Sequence, residues 1–409
     1  MKKGNIKISL ALSGGGFRAT LFHLGVVRHL VELGLFKNIK TVSSASGGSI
    51  LNGLLSLHYD EIKDIDDFDK LITAKIKQIV RINVRNRLIF CSIPYLLSKW
   101  KFCKLMDKYL FDDKKLSDLS KNIKSVFNAT DLNSGMRWRF NKNDFGGFDH
   151  GYCSSTDYIK ISEAVYSSAA FPGLLSPFII VKNKFKFVRR NKEEEYYNPE
   201  KIQLLDGGIY DNTGFAGLRK ELENENRFVI ISDAIEIFDK KKKSFSWFNQ
   251  LKRMGFIILD LKTRKDRTSL VNKLIKLKND DGSYKNSELN GIIFLIKKDC
   301  KHYRNYEDDR YYVATTKDDI PNDIGWDEYI VSQLAHMRTD FDDFHKIEID
   351  YLMYHGASLL DVNLRKWHPA IYKELPNIPS LKPDYDDKTV SKILSRSHKH
   401  YLFNFLRHL

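Results

Sequence analysis

Three short segments hold residues that together could carry out acyl transfer. Thr41-Val42-Ser43-Ser44-Ala45-Ser46-Gly47-Gly48-Ser49 sets a serine between an apolar strand end and small residues that can open a helix. Leu10-Ala11-Leu12-Ser13-Gly14-Gly15-Gly16-Phe17-Arg18 runs from an apolar segment into three glycines. Glycines lack Cβ atoms, so an anion can reach their backbone N–H groups directly. Leu204-Leu205-Asp206-Gly207-Gly208 closes a third apolar run with a carboxylate. A serine hydroxyl is a poor nucleophile at neutral pH. It needs a base within hydrogen-bond reach and donors aimed at the oxyanion that forms. Ser46 is the candidate nucleophile, at a turn where a helix N-terminus favours negative charge. The base must be a carboxylate or a histidine on another strand end. Asp206 is the candidate, because partial desolvation there raises its basicity. Arg18, at the start of the next helix, could stabilise negative charge or orient the glycine loop. The chain has 12 histidines, so a Ser–His–Asp triad through His302 or His355 stays open.

Each segment alone has a plainer reading. A serine among small residues is usually an ordinary turn, and so is an isolated D-G-G. A glycine-rich turn after a first strand also suits a dinucleotide or phosphate. That reading wants an acidic residue at the end of the second strand, where Ser43-Ser44-Ala45-Ser46 stands instead.

The segments need elements to position them. Ile6 to Leu12 predicts a buried strand. Leu21, Leu24, Val27 and Val31 fall at helical spacing between Phe17 and Leu33, with Gly34 as a stop. Thr41 to Ser43 predicts the next strand and Gly48 to Leu57 the next helix. This alternation is that of a parallel α/β sheet, whose sites form at the carboxyl ends of strands. Further strands are expected at 125–130, 201–205, 228–232 and 291–296. Arg189 to Pro199 reads as a charged surface excursion. Helices are expected at 327–337, 347–360 and, after prolines 376, 379 and 383, at 388–409.

Taken as a set, the motifs identify a family. The chain resembles the patatin-like phospholipases through Ser13-Gly14-Gly15-Gly16-Phe17-Arg18, Ser44-Ala45-Ser46-Gly47-Gly48, Ala170-Phe171-Pro172-Gly173-Leu174-Leu175-Ser176-Pro177 and Asp206-Gly207-Gly208, in that order. Asn128-Ala129-Thr130-Asp131 resembles a further family segment. The resemblance runs from about Ile6 to Asp233. It implies an α/β fold with a parallel-rich sheet flanked by helices, here with a helical C-terminal extension. The expected division is 1–320 for the acyl hydrolase domain and 321–409 for the extension packed on it. The resemblance also implies Ser46 as nucleophile, Asp206 as its base, and Gly14, Gly15 and Gly16 with Arg18 as the oxyanion hole. It implies a phospholipid substrate, no cofactor and no metal. Ser44 departs from the family pattern where the elbow usually has glycine, and Ala19 where the loop often has its last glycine.

Hydrophobic content of 42% and charged content of 29% over 409 residues are ordinary for a globular protein. A formal net charge of +15 is not, and points to an anionic surface or to a solvated lysine-rich one. Cys91, Cys103, Cys153 and Cys300 show no zinc spacing and fit a reducing cytosol. No run is long enough to cross a bilayer, so the expectation is a cytoplasmic protein peripheral at an anionic membrane. Lys75 to Met106 contains no acidic residue and surrounds an apolar stretch, Leu88 to Leu97, which suits interfacial contact or a buried helix pair with a basic outer face. Lys240 to Phe248 and Lys392 to Leu409 are two further candidates. The basic residues form no recognised nucleic-acid motif. A homo-oligomer and a signal-regulated, membrane-degrading effector are both compatible with the sequence.

Overall fold

Apolar runs rich in β-branched residues form ten strands of one mixed sheet among the described residues. The computed structural model describes residues 6–89, 94–173, 175–189, 199–219, 227–235, 247–276, 278–283, 290–307, 313, 320–369 and 379–399. The strands are β1 (Lys7–Leu12), β2 (Ile39–Ser44), β3 (Lys124–Asp131), β4 (Arg137–Phe140), β5 (Phe145–Gly147), β6 (Gly151–Cys153), β7 (Phe178–Val181), β8 (Lys201–Asp206), β9 (Arg227–Asp233) and β10 (Gly291–Leu295). β10, β9, β1, β2 and β3 lie side by side, all parallel. β4, β5 and β6 extend this half as an antiparallel meander.

The main helices are α1 (Gly16–Glu32), α2 (Gly47–Leu57), α3 (Pro94–Met106), α4 (Ile161–Ala169), α5 (Trp247–Leu274), α6 (Glu328–Ala335), α7 (Lys346–Trp367) and α8 (Asp387–Leu394). Strand alternation divides them between two faces. Leu10, Leu12, Phe228 and Ile230 join a large core with α1, α2 and α7. Ala11, Val229 and Ile231 point the other way, onto Phe215, Leu218 and Leu270 of α5. α1 is buried along nearly its whole length, including polar Arg18, Thr20 and His23. It crosses α7 where both helices carry glycine. A Cβ on Gly25 would lie 1.8 Å from the Met353 carbonyl oxygen, and one on Gly356 2.1 Å from that of Phe22. The 321–409 portion therefore contributes α7 to the same hydrophobic core as α1.

β3 carries the arrangement that matters for the site. Its residues 124–127 pair with β2, and its residues 129–131 pair with β8. β4 lies along Phe127 to Thr130, overlapping both. A strand has two edges, so β2 and β8 must share the other one, end to end and pointing toward each other. Ser44 is opposite Phe127 and Asp206 opposite Ala129. The chain leaving β2 and the chain leaving β8 thus meet above the same turn of sheet.

One expectation needs correction. The helix expected over 388–409 ends at Leu394. The polar Ser395–Ser397 turn follows, and Arg338 takes the Ser397 carbonyl with its backbone N–H at 3.2 Å and Nη1 at 3.0 Å. Residues 400–409 lie outside the described residues, as do most of Arg189 to Pro199 and Lys240 to Ser246. The basic Lys75–Met106 stretch is less available than its composition implies. It forms helices at Ala74–Ile79 and Val84–Ile89 and then α3. Arg85 is buried, 2.5 Å from Asp340 and 3.3 Å from Asp342. Lys77 pairs with Asp350 and Lys99 with Glu163, both at 2.8 Å.

Candidate active site

Ser46 follows the last residues of β2 and caps α2 with φ 47° and ψ −122°. Few non-glycine residues adopt positive φ, and such strain persists only where the surroundings enforce it. Here they do. The Ser46 N–H donates to both the carbonyl and the hydroxyl oxygen of Ser168 in α4, each at 3.1 Å. Below it lies a buried polar network. Ser168 Oγ donates to the Asn128 carbonyl at 2.6 Å and meets Ser49 Oγ at 2.8 Å. Ser49 Oγ meets Ser44 Oγ at 2.9 Å, and Asn52 donates to Ser44 Oγ at 2.9 Å. Ser44 therefore occupies the usual glycine position with its hydroxyl bonded inward, and the turn forms without that glycine.

The glycine loop is held by neighbours on every side. Gly16 has φ 57°, and a Cβ there would lie 1.7 Å from the Thr339 carbonyl oxygen. A Cβ on Gly47 would lie 2.0 Å from the Gly16 carbonyl oxygen, so loop and elbow touch backbone to backbone. His23 fastens the loop from below, with Nε2 3.0 Å from the Ser13 carbonyl and Nδ1 2.7 Å from Ser232 Oγ. Burial lowers its pKa to about 4, so the ring is neutral. A carbonyl only accepts, so Nε2 carries the proton and Nδ1 accepts from Ser232.

The four residues assigned to the oxyanion hole separate into two groups. The Gly14 N–H donates to the Asn212 carbonyl at 2.9 Å, so it is already engaged. The Gly15 and Gly16 N–H groups open α1, where helix geometry leaves the first amides without intrahelical partners. Arg18 is fully buried, with its guanidinium committed to backbone carbonyls. Its Nη1 donates to the Ala335 and Met337 carbonyls at 2.7 and 3.0 Å, and its Nη2 to Ala234 at 2.8 Å. It orients the loop by tying α1 to the ends of β9 and α6.

Asp206 ends β8 with its side chain 4% exposed. Its N–H donates to the Ala170 carbonyl at 3.0 Å, which gives the Ala170–Pro177 segment its place beside the site. Its carbonyl accepts from Thr130 Oγ1 at 2.8 Å. Its carboxylate accepts from the Gly208 N–H at 2.7 Å, and the Ser46 side chain lies near enough to favour its charged form. Desolvation pushes its pKa up to about 6, against the opposing pull of the Gly208 N–H and the nearby Ser46 side chain. A hydroxyl beside a buried, basic carboxylate is placed to lose its proton to it.

The histidine alternatives lie elsewhere. His355 is buried in α7, with Nε2 2.7 Å from the Ile296 carbonyl. His302 sits on the short helix Cys300–Arg304 that follows β10. Among the described residues, no hydrogen bond joins a histidine to Ser46 or Asp206. Sequence reasoning missed Ser168 and Asn212. It quoted Asn128 without a role. In the fold Asn128 Nδ2 donates to Ser43 Oγ and to the Ser44 carbonyl at 2.9 and 2.8 Å, fixing the strand end before the elbow. Asn212 lies eighth in the run from Leu205 to Asn212, close enough to Asp206 to have been suspected.

Comparison with known proteins bears on this geometry. A family model described as patatin-like phospholipase matches residues 10–219, just over half of the chain. No curated protein matches. Among solved structures, human GIVD cytosolic phospholipase A2 is similar at 10% identity and TM-score 0.48, over 88% of this chain and 60% of that one. VipD from Legionella pneumophila is similar at 17% identity and TM-score 0.35, over 71% of this chain and 61% of that one. The chain spans about three fifths of the length of each.

Proposed function

The chain belongs to the patatin-like phospholipase family, and from that premise we propose that it is a phospholipase A-type lipid acyl hydrolase using a Ser46–Asp206 dyad. The observation that carries this reading is the Ser46 side chain, on a strained elbow, beside a buried carboxylate whose pKa is raised to about 6. Asp206 takes the Ser46 proton as Oγ attacks the carbonyl carbon of a glycerophospholipid ester. The N–H groups of Gly15 and Gly16 stabilise the oxyanion, with the Gly14 amide holding the loop to Asn212. Collapse of the tetrahedral intermediate breaks the ester C–O bond. Asp206 returns the proton to the lysophospholipid oxygen, leaving an acyl group on Ser46. Water, deprotonated by Asp206, attacks that ester and releases the fatty acid. The dyad needs no histidine, consistent with the positions of His302 and His355.

A lipid substrate places the work at a membrane surface. No helix among the described residues is long and apolar enough to cross one, so contact is proposed to be peripheral and favoured by the +15 charge. The test is mass spectrometry of mixed glycerophospholipids incubated with wild type and with Ser46→Ala. Lysophospholipid and free fatty acid should appear only with wild type. Equal release by both proteins would sink the nucleophile assignment.

A further inference from the structure

We infer that the outer face of α5 is the surface on which the chain docks to an anionic phospholipid bilayer, beside the mouth of the Ser46 site. This inference rests on the lipid hydrolase reading. α5 has two unlike halves. Toward its C-terminal end, Leu270 is buried in the second core, and Arg267 holds the buried Asp233 with Nε and Nη2 at 2.6 and 2.7 Å. Toward its N-terminal end, Met254, Ile257, Ile258 and Leu261 recur at the spacing that aligns side chains on one helix face. They are 52%, 39%, 57% and 58% exposed. Four aliphatic side chains left exposed together on one helix face mark a contact surface.

Its position ties it to the chemistry. Phe256 stacks on Phe171 with ring centroids 6.1 Å apart and planes 18° from parallel. Phe171 follows Ala170, whose carbonyl receives the Asp206 N–H. Lys262 donates to the carbonyl of Tyr210, four residues beyond Asp206. α5 thus grips both segments flanking the base. The far end of the Phe171 segment meets α3, where Ser98 Oγ lies 3.0 Å from Ser176 Oγ and Leu97 and Trp100 are exposed.

Charge selects the occupant. One turn beyond Ile257, Ile258 and Leu261, the same face presents exposed Lys265 and exposed Arg264, the latter 2.5 Å from Asp260. An apolar stripe followed by cations matches acyl chains beneath a layer of phosphate headgroups. A second copy of this chain would bring its own excess of positive charge against them. A nucleic acid would leave the aliphatic stripe without a partner.

The test uses full-length protein, co-sedimented with vesicles of phosphatidylcholine alone or mixed with phosphatidylglycerol. An Ile258→Asp/Leu261→Asp variant should bind the mixed vesicles at least about tenfold more weakly, since charges enter the apolar layer. It should lose hydrolysis of vesicle lipid in step, with hydrolysis of a soluble short-chain ester unchanged. Arg264→Gln/Lys265→Gln should weaken binding to the mixed vesicles alone and flatten its salt dependence. Ser46→Ala should bind like wild type. Unchanged vesicle binding by the Asp variant overturns the inference, as does an equal fall in soluble-ester turnover. Wild-type dimers that the Asp variant dissociates would also overturn it, assigning the stripe to a second copy. If wild type docks through this face yet cleaves no ester, the docking inference stands and the hydrolase reading fails.

Discussion

Replacing Asp206 by Asn should abolish hydrolysis and at the same time stabilise the protein at alkaline pH. Asp206 is almost fully buried, and desolvation moves its pKa from the usual 3.8 to about 6. A shift of about 2 pH units corresponds to about 3 kcal/mol between the two protonation states. The native state holds this proton more tightly than the unfolded chain does. Stability from this group is therefore fully present below 3.8 and is lost as pH rises through about 6. At pH 8 the wild type carries the whole penalty of a buried charge, and a neutral amide does not. The variant should gain up to about 3 kcal/mol there, which is about 3–4 °C in melting temperature for a chain of this size. About two thirds of that advantage should vanish at pH 4.5, where the native carboxyl is protonated. Thermal or urea unfolding of both proteins at the two pH values reads the difference. The wild-type kcat/KM should also rise with pH through about 6, because only the ionised carboxylate accepts the Ser46 proton. A stability difference that is flat between pH 4.5 and 8 would refute the reasoning.

Other perturbations separate chemistry from scaffold. Ser46→Gly and Ser46→Ala should both be inactive, but the glycine variant should be more stable by about 1 kcal/mol, since φ 47° strains any residue with a Cβ; equal melting temperatures would contradict the strain. Arg18→Met should cost about 3 kcal/mol, because three carbonyls lose their donor in a buried site; a loss of turnover without a loss of stability would assign Arg18 to the oxyanion hole. Arg85→Gln should destabilise by about 3 kcal/mol by removing the buried cation that Asp340 and Asp342 share, whereas Arg81→Gln/Arg87→Gln, at exposed positions, should shift stability by less than about 0.5 kcal/mol. Denaturant titration of the two proteins would decide it.

Local patterns made the catalytic half of the fold readable. β1, α1, β2 and α2 lie within two residues of their expected bounds, because periodicity and glycine punctuation agree there. The pairing of Ser46 with Asp206 is expected from residue types at strand ends and from the family resemblance. Its physical cause, two strands sharing one edge of β3, is a long-range pairing with no local signature. The β4–β6 meander has no clear signal because its strands are three or four residues long and two of them carry glycine. The 28-residue α5 escaped because its N-terminal half exposes apolar residues, so its pattern matches no buried face. The partners of Arg18 and Arg85 come from the C-terminal segment, far off in sequence, and have no local signature.

The central claim is that Ser46 is the nucleophile and Asp206 its base. Labelling with a fluorophosphonate ester, followed by peptide mass spectrometry, tests both at once. The phosphonyl group should be found on the peptide containing Ser46, be absent from Ser46→Ala, and form at least about a hundredfold more slowly in Asp206→Asn, within the range that a general base contributes. A label on any other residue of active wild type, or labelling of Asp206→Asn at the wild-type rate, would contradict the account.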